Sequence, residues 1–232
     1  MRVSFLSLLA PLVVSTAVGC KTDPTWNAGF VEDPRILVED PSLPFHRSYV
    51  APDFDPARYR EILVKPVTTR LLRSVNGWDA ATLEFDRSEA VRRMARTTRA
   101  TLQAAFAADP DRTLRPTPRQ SDQALVLEFA LVELRPTKSW LNVLGYLVTR
   151  LSFDKGIVAM EARLHDGGTG ELLMAFADRE AGKATFLSVD DLTWYGHAES
   201  IVEDWAAQLV EVVKRKPNAV VEDSSTFTLW PF

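Results

Sequence analysis

Side chains that commonly do chemistry are few and scattered in this sequence of 232 residues. The three histidines, His46, His165 and His197, are far apart, whereas a zinc site needs three or four converging ligands. His165 stands beside Asp166 at the mouth of a predicted hairpin, where the two could hold a metal only weakly. The sequence therefore predicts no metal site.

Two further patterns lack the surroundings that their chemistry requires. Asp190-Asp191 offers neighbouring carboxylates for acid-base work, but we expect the pair to cap or flank a helix. The cluster Gly167–Gly170 connects two predicted strands, so it lacks the helix N-terminus that binds phosphate. The sequence also has no G-x-S-x-G nucleophile elbow and no Walker loop. We predict that the protein is not an enzyme and has no cofactor and no catalytic residues.

The remaining reactive residue is Cys20, the only cysteine, and it follows an export signal. Arg2 precedes an apolar run from Phe5 to Val18 that is too short to span a bilayer. The end of this run, Ala17-Val18-Gly19-Cys20, resembles the lipobox of bacterial lipoproteins. That resemblance implies removal of residues 1–19, a diacylglycerol on the Cys20 sulfur and acylation of the new amine. The alternative is an ordinary signal peptide with a chance cysteine.

The residues after Cys20 predict where and how the protein is held. Lys21 is not the aspartate that resembles an inner-membrane retention signal, so by analogy with lipoprotein sorting we expect the outer membrane, facing the periplasm. Residues 20–45 combine prolines with acidic residues and are predicted to form the lipid anchor and a stiff, solvated linker. Apolar residues in it, such as Phe30 and Leu37, could still dock on the domain.

Composition indicates that residues 46–232 form a single globular domain. Hydrophobic residues make up 46% and charged residues 25% of the chain, which are ordinary values for a domain with a real core. The formal net charge is −4, and no basic patch accompanies it, so nucleic acid is not an expected partner. The expected partners are a lipid bilayer, through acylated Cys20, and an envelope protein or a second copy of the chain.

Hydrophobic periodicity predicts the fold. Alternating or continuous apolar runs predict a strand within Ile62–Val67, a central strand at Ala124–Leu134 and a hairpin over Gly156–Glu180. Apolar residues at helical spacing predict two long helices, Asp86–Ala108 and His197–Lys216. The predicted class is α/β of the α+β type: a two-layer sandwich with a mixed four- to five-stranded sheet and both amphipathic helices on one face. Its order is strand, helix, strand, hairpin, helix.

The strand patterns also predict which side chains share a face. Leu134 is expected on the same face as Val132, because they are an even number of residues apart. In the hairpin, Glu161 and Arg163 are expected to face Asp178 and Arg179 across the ladder as pairs of opposite charge.

An unusually apolar segment follows the central strand. Its apolar residues recur at helical spacing, and they predict either a short element packed on the core or a surface that binds a partner. The candidate partner surface consists of Trp140, Leu141, Leu144, Leu147 and Val148.

Two stretches resemble a known family. Tyr49–Val67 is an aspartate-rich, tyrosine-containing lead into a first strand that ends in V-x-P-V, and Gly156–Lys183 contains a D-x-x-T-G-E turn at Asp166 to Glu171. These features resemble the bacterial lipoproteins of the DUF3313 family, whose domain has no known function. The resemblance implies an envelope lipoprotein, for which we expect a non-enzymatic interaction or assembly role. The alternative is a binder of a lipid or small envelope ligand, in a pocket beside the Trp194-Tyr195 loop.

Overall fold

The computed structural model describes residues 27–72, 87–135, 157–181, 196–216 and 219–223. Within these ranges the chain forms six strands, two α-helices and two single-turn 3₁₀ helices at Pro34–Ile36 and Pro56–Arg58. The strands and α-helices, in chain order, are β1 (Arg47–Val50), β2 (Glu61–Val64), α1 (Arg87–Ala108), β3 (Arg115–Pro116), β4 (Ala124–Arg135), β5 (Ile157–Asp166), β6 (Leu172–Ala181) and α2 (Gly196–Lys214).

The strands form one mixed sheet in the order β1-β6-β5-β4-β2-β3. β2 runs parallel to β3 and β4, and the other neighbouring pairs are antiparallel. The predicted α+β class and mixed sheet are confirmed, but the prediction of four to five strands is wrong. The additional strands are short edges: β1 has four residues, and β3 has two and contains Pro116. Neither is long enough to show an alternating apolar pattern.

One face of the sheet, called the helix face here, packs against α1 and α2. Residues of β4 such as Leu127 and Phe129 join Met94 of α1 and Trp205 of α2 in one apolar core. The ring centroids of Trp205 and Phe129 are 6.2 Å apart. Burying each such side chain stabilises the fold by about 1.5–3 kcal/mol. Neither of the two described helices is long and apolar enough to cross a membrane.

The C-terminal ends of the two helices are joined by an ion pair. Lys214 Nζ, in the last turn of α2, donates to Asp109 Oδ1 at 2.9 Å, just after α1 ends. Burial raises the pKa of Asp109, but the hydrogen bonds from Lys214 and from the Thr113 amide outweigh it, so that this pKa lies below its usual value. The pKa of Lys214 is raised, because its acidic partners outweigh the effect of burial.

The pairing registers of the long strands overturn two predictions. The pairing of β4 with β5 shifts between Leu131 and Glu133, and one extra residue in a strand reverses which face the following side chains occupy. Leu134 therefore lies in the core of the helix face, and its predicted placement with Val132 is wrong. The predicted charge pairs of the hairpin are also wrong, because Glu161 lies opposite Ala177 and Met160 lies opposite Asp178.

The other face of the sheet, called the strap face, is covered in part by residues 27–38, which we call the strap. Val31 and Leu37 pack against Ala175 and Ala177 of β6. Ala28 and Phe30 pack against a second small cluster, consisting of Ala130, Val132 and Ala159. The described part of the predicted linker, residues 27–45, thus includes side chains that dock on the domain.

Candidate functional site

In addition to its apolar contacts, the strap is held on the sheet by a buried carboxylate. Glu161, in the middle of β5, is fully buried on the strap face. Its Oε1 accepts from the amide of Ala28, and its Oε2 accepts from the amides of Phe30, at 2.9 Å, and Val31, at 3.0 Å. Gly29 takes a positive φ of 84°, which lets the strap turn its neighbouring amides toward Glu161. Backbone amides thereby replace the water that a buried carboxylate loses.

Beside this attachment lies an open cleft of about 450 Å³, called the strap cleft here. One wall is the strap, and the other is the segment 65–71 that follows β2. This segment stays beside β4, because Lys65 N donates to Leu127 O at 2.9 Å and Thr68 N donates to Phe129 O at 2.9 Å. The described lining residues are Gly29, Phe30, Glu32, Lys65, Pro66, Thr68, Arg70, Leu71, Glu128, Phe129 and Arg163.

A network of charged side chains forms the floor of the strap cleft. Glu128 accepts from Lys65 Nζ at 2.8 Å and from Arg163 Nη2, and His165 Nε2 lies 3.5 Å from the same carboxylate. Burial raises the pKa of Glu128, but Lys65 and Arg163 outweigh that effect and hold it below its usual value. Glu128 is therefore ionised at neutral pH, and its charge is matched by fixed cations.

An aromatic contact joins this network to the strap. The guanidinium of Arg163 lies 4.4 Å from the centroid of the Phe30 ring, and its Nη1 lies 3.5 Å from Glu32. A cation over an aromatic face contributes about 0.5–1 kcal/mol or more when it is shielded from water. Arg163 thus connects β5, β4 and the strap, so the shape of the cleft depends on where the strap sits.

A second buried cluster lies under α2. Asp178 Oδ1 accepts from the His46 amide at 2.9 Å and contacts His46 Nδ1, and Asp178 Oδ2 accepts from Trp205 Nε1 at 2.7 Å. Glu180 is close enough that the three carboxylate and imidazole ligand atoms lie within 4.8 Å of one another. The contacts of Asp178 hold three parts of the chain together: His46, just before β1, strand β6 and helix α2. This carboxylate therefore has a structural role.

The two stretches that resemble a known family meet at the hairpin. Tyr59 Oη donates to Asp166 Oδ2 at 2.7 Å, and Asp166 Oδ1 accepts from the Gly168 and Thr169 amides of the turn. The hydrogen bond from Tyr59 is the main cause of a lowered pKa of Asp166, while burial and the same bond raise the pKa of Tyr59 to about 12. A Cβ on Gly167 would lie 2.3 Å from the Ser121 carbonyl oxygen, so glycine is required there. The residues of the two family stretches therefore fix the conformation of the turn between β5 and β6.

The structure does not bring His165 and Asp166 together as the weak metal-binding pair considered from the sequence. His165 and Asp166 are neighbours on β5, and successive side chains of a strand point to opposite faces. Asp166 is buried with Tyr59, whereas His165 Nδ1 lies 3.2 Å from the Gly170 carbonyl oxygen and its Nε2 lies near Glu128. The two side chains therefore belong to different clusters.

Several residues singled out from the sequence lie outside the described residues. They are Cys20, the candidate partner surface Trp140, Leu141, Leu144, Leu147 and Val148, the pair Asp190-Asp191 and the loop residues Trp194 and Tyr195. The lipid anchor, the partner surface and the pocket beside Trp194-Tyr195 stay predictions.

Sequence reasoning missed the strap cleft. The signal that was available is the placement of the charged residues Glu128, Glu161 and Arg163 within long strands that are mostly apolar. Charged residues are rarely buried unless they are paired, so each of them indicates a partner elsewhere in the chain. Which partner it would be, and that Phe30 and Lys65 would meet there, depends on tertiary structure.

Similar solved structures overlap with part of the fold. The PelC dodecamer from Paraburkholderia phytofirmans is 14% identical, with a TM-score of 0.41, over 73% of this chain and 96% of that chain. A hypothetical protein from Chlamydia trachomatis is 12% identical, with a TM-score of 0.38, over 67% and 98%. A minor lipoprotein from Acinetobacter baumannii is 10% identical, with a TM-score of 0.30, over 67% and 93%. Likeness at this level assigns neither a function nor an assembly.

The comparison with protein families is more specific. No curated protein matches the sequence. The model of the family described as a protein of unknown function, DUF3313, matches residues 27–209, from the first residue of the strap into α2. The family resemblance predicted from the sequence is thereby confirmed: this chain belongs to the DUF3313 family.

Proposed function

We propose that this protein is a lipoprotein anchored through acylated Cys20 in the outer membrane, facing the periplasm, and that its domain binds partners in envelope assembly or transport without catalysing a reaction. The observation that carries the proposal is the use of the buried carboxylates. Glu161, Asp166 and Asp178 are all engaged in bonds that join separate segments of the chain. A general acid or base must instead be able to reach a substrate.

The strap supports the anchored arrangement. Ala28 is fixed to Glu161, and the eight residue steps from Cys20 to Ala28 can span at most about 30 Å. An anchor at Cys20 would therefore hold the domain close to the bilayer, with the strap face near the point of attachment.

Metabolic labelling with palmitate tests the anchor. We expect the wild-type protein to incorporate label and to fractionate with outer membranes, and Cys20→Ser to abolish both labelling and removal of residues 1–19. Lys21→Asp should move the labelled protein toward the inner membrane. An unlabelled wild-type protein, or a Cys20→Ser protein with unchanged processing and membrane fraction, would refute the anchor.

Crosslinking in native membranes tests the interaction role. We propose that Trp140, Leu141, Leu144, Leu147 and Val148 contact an envelope protein or a second copy of the chain. Leu144→Ser with Leu147→Ser should reduce the crosslinked species and leave thermal unfolding unchanged. Val220→Ser, which alters an apolar residue that is 67% exposed, is the matched control. Unfolding of the double variant would instead place the segment in the core.

A second candidate function, binding of a lipid or small envelope ligand, is favoured by the strap cleft. The cleft combines cations with apolar residues and is open to solvent. Native mass spectrometry of protein extracted from membranes should then show a molecule that copurifies. Recovery of the protein with no added mass would count against this candidate.

A further inference from the structure

The charge of the strap cleft differs from that of the whole chain. Its described lining residues include three cations, Lys65, Arg70 and Arg163, and two acids, Glu32 and Glu128. The cleft therefore carries a net charge of +1 from these residues, whereas the chain has a formal charge of −4. A local positive charge in an acidic protein favours an anionic ligand at that place.

The cations of the cleft have two different roles. Arg163 is fixed by Glu128 and lies over Phe30, and its side chain is only 19% exposed. Lys65 is 43% exposed and gives one hydrogen bond to Glu128, although an ammonium has three hydrogens to donate. Arg70 is exposed at the rim. Lys65 and Arg70 thus present charged donors to a ligand above a rigid floor, which suits the oxygens of a phosphate group.

The same cleft exposes apolar surface. Leu71 is one of the few exposed large hydrophobic side chains among the described residues, and it lines the cleft with Phe30 and Pro66. Apolar side chains at the rim of a cationic site fit an amphipathic ligand, which has a charged head and an apolar body. A small inorganic anion would make no use of Leu71.

The position of the cleft narrows the source of the ligand. Gly29 and Phe30 form its wall, only nine and ten residues after Cys20. If Cys20 is acylated, as the proposed function has it, the chain can separate the cleft wall from the anchored sulfur by no more than about 30–35 Å. The cleft then lies within reach of the headgroups of the bilayer that holds the anchor.

We propose that the strap cleft binds the phosphate-bearing headgroup of an anionic lipid in that bilayer, with Lys65 and Arg70 contacting the phosphate and Leu71 contacting the apolar part. This inference rests on the proposed anchor for its geometry. Lipid contact at the strap face would hold the tethered domain in one orientation on the membrane.

Vesicle binding by the mature chain, residues 20–232 with Cys20→Ser, tests the proposal without the acyl anchor. We expect the protein to sediment with vesicles that contain phosphatidylglycerol and not with vesicles of phosphatidylcholine alone. Arg70→Glu and Lys65→Gln should each weaken binding by about five-fold or more. A five-fold loss corresponds to about 1 kcal/mol, the contribution of one cation at an anionic surface. Circular dichroism and thermal melting check that each variant is folded.

The matched control is Arg119→Glu, which reverses an exposed cation in the loop before β4, at the opposite end of the parallel pair β2 and β4. Equal loss in Arg119→Glu and Arg70→Glu would show general charge attraction and overturn the proposal, as would absence of binding to anionic vesicles. Glycerol phosphate in solution that binds as tightly as the vesicles would assign the cleft to a soluble phosphate, which also overturns it. Palmitate labelling is a separate measurement. Its failure would refute the proposed anchor and would leave the vesicle result unaffected.

Discussion

The helix face and the strap face of the sheet are covered by different means. On the helix face, α1 and α2 bury a continuous apolar core around Trp205 and Phe129. On the strap face, the strap forms only small apolar clusters, around Val31 with Leu37 and around Phe30, and its backbone amides are fixed to Glu161. A chain segment with little regular structure can cover a sheet only where its buried amides find acceptors, because buried amides without partners are costly. The strap covers only part of this face, and the strap cleft lies where the face is left open.

The difference has a functional consequence. Apolar packing of two long helices makes the helix face a closed, stable unit. The strap is held by its amide contacts to Glu161 and by small apolar clusters, and it begins seven residues after Cys20, the predicted anchor. The face that carries the strap is therefore also the face with an open, charged cleft, and we propose that this face lies toward the membrane.

Trp205→Ala has the largest expected effect and tests the difference between the helix face and the strap face. It removes the largest fully buried side chain among the described residues and leaves Asp178 without one of its donors. We expect the free energy of unfolding to fall by about 3–5 kcal/mol, measured by chemical denaturation. Phe30→Ala, the corresponding truncation on the strap face, should cost clearly less. A loss from Phe30→Ala as large as that from Trp205→Ala would contradict the distinction between the two faces.

Glu161→Gln tests the attachment of the strap. A glutamine keeps the shape but brings an NH₂ donor toward at least one of the amides of Ala28, Phe30 and Val31. We expect a loss of about 2–3 kcal/mol, with faster protease cleavage and amide exchange within residues 27–38 than in α2. Glu171→Gln, at an exposed position of the hairpin turn, is the control and should leave the strap protected. An equal increase in protease cleavage and amide exchange in the strap and in the helices would show that Glu161 supports the whole fold.

Tyr59→Phe tests the contact that links the two family stretches. It removes the hydrogen bond to Asp166 and leaves that carboxylate two amide donors. We expect a loss of about 1.5–2 kcal/mol and a rise in the pKa of Asp166, measured by denaturation and by NMR titration. Tyr49→Phe, in β1, makes the same chemical change and should have little effect. If the pKa of Asp166 is the same in Tyr59→Phe as in the wild type, the hydrogen bond does not stabilise its charge.

Asp109→Asn gives the smallest expected effect and tests the link between the helix ends. The pKa of Asp109 is below the ordinary value of 3.8, so the unfolded chain takes up a proton first as the pH falls. The stability from this carboxylate is therefore complete at neutral pH and is lost as the pH falls below about 4. We expect Asp109→Asn to cost about 1 kcal/mol at pH 7, and the difference from wild type to narrow in acid. A difference that does not change with pH would exclude the ion pair with Lys214 as its cause.

The long elements could be predicted from the sequence because their patterns are local. Apolar residues at helical spacing located α1 and α2 to within a few residues, and the glycines after Asp166 located the hairpin turn. The short strands β1 and β3 could not be predicted, since two to four residues carry too little periodicity. The bulge near Val132 could not be predicted either, because it depends on how β4 pairs with β5.

The candidate site was less accessible than the fold. Glu128, Glu161 and Arg163 stand out as charges in apolar strands, but the residues that they bind are far away in the chain: Glu161 binds amides more than 100 residues earlier. Composition predicted a solvated linker for residues 20–45, in which apolar residues such as Phe30 and Leu37 could dock, because prolines and acidic residues are visible in the composition and the partners of backbone amides are not. The strap forms because those amides can satisfy a buried carboxylate.

By itself, the sequence determined the periodic elements, the family and the single cysteine on which the proposed anchor depends, since these are written in neighbouring residues. Only the tertiary structure decided that the second face of the sheet is covered by the strap, that Tyr59 is joined to Asp166, and that Lys65, Glu128, Arg163 and Phe30 meet around one cleft. The physical reason is that buried charges and unpaired amides must find partners, and which partners they find depends on the fold as a whole.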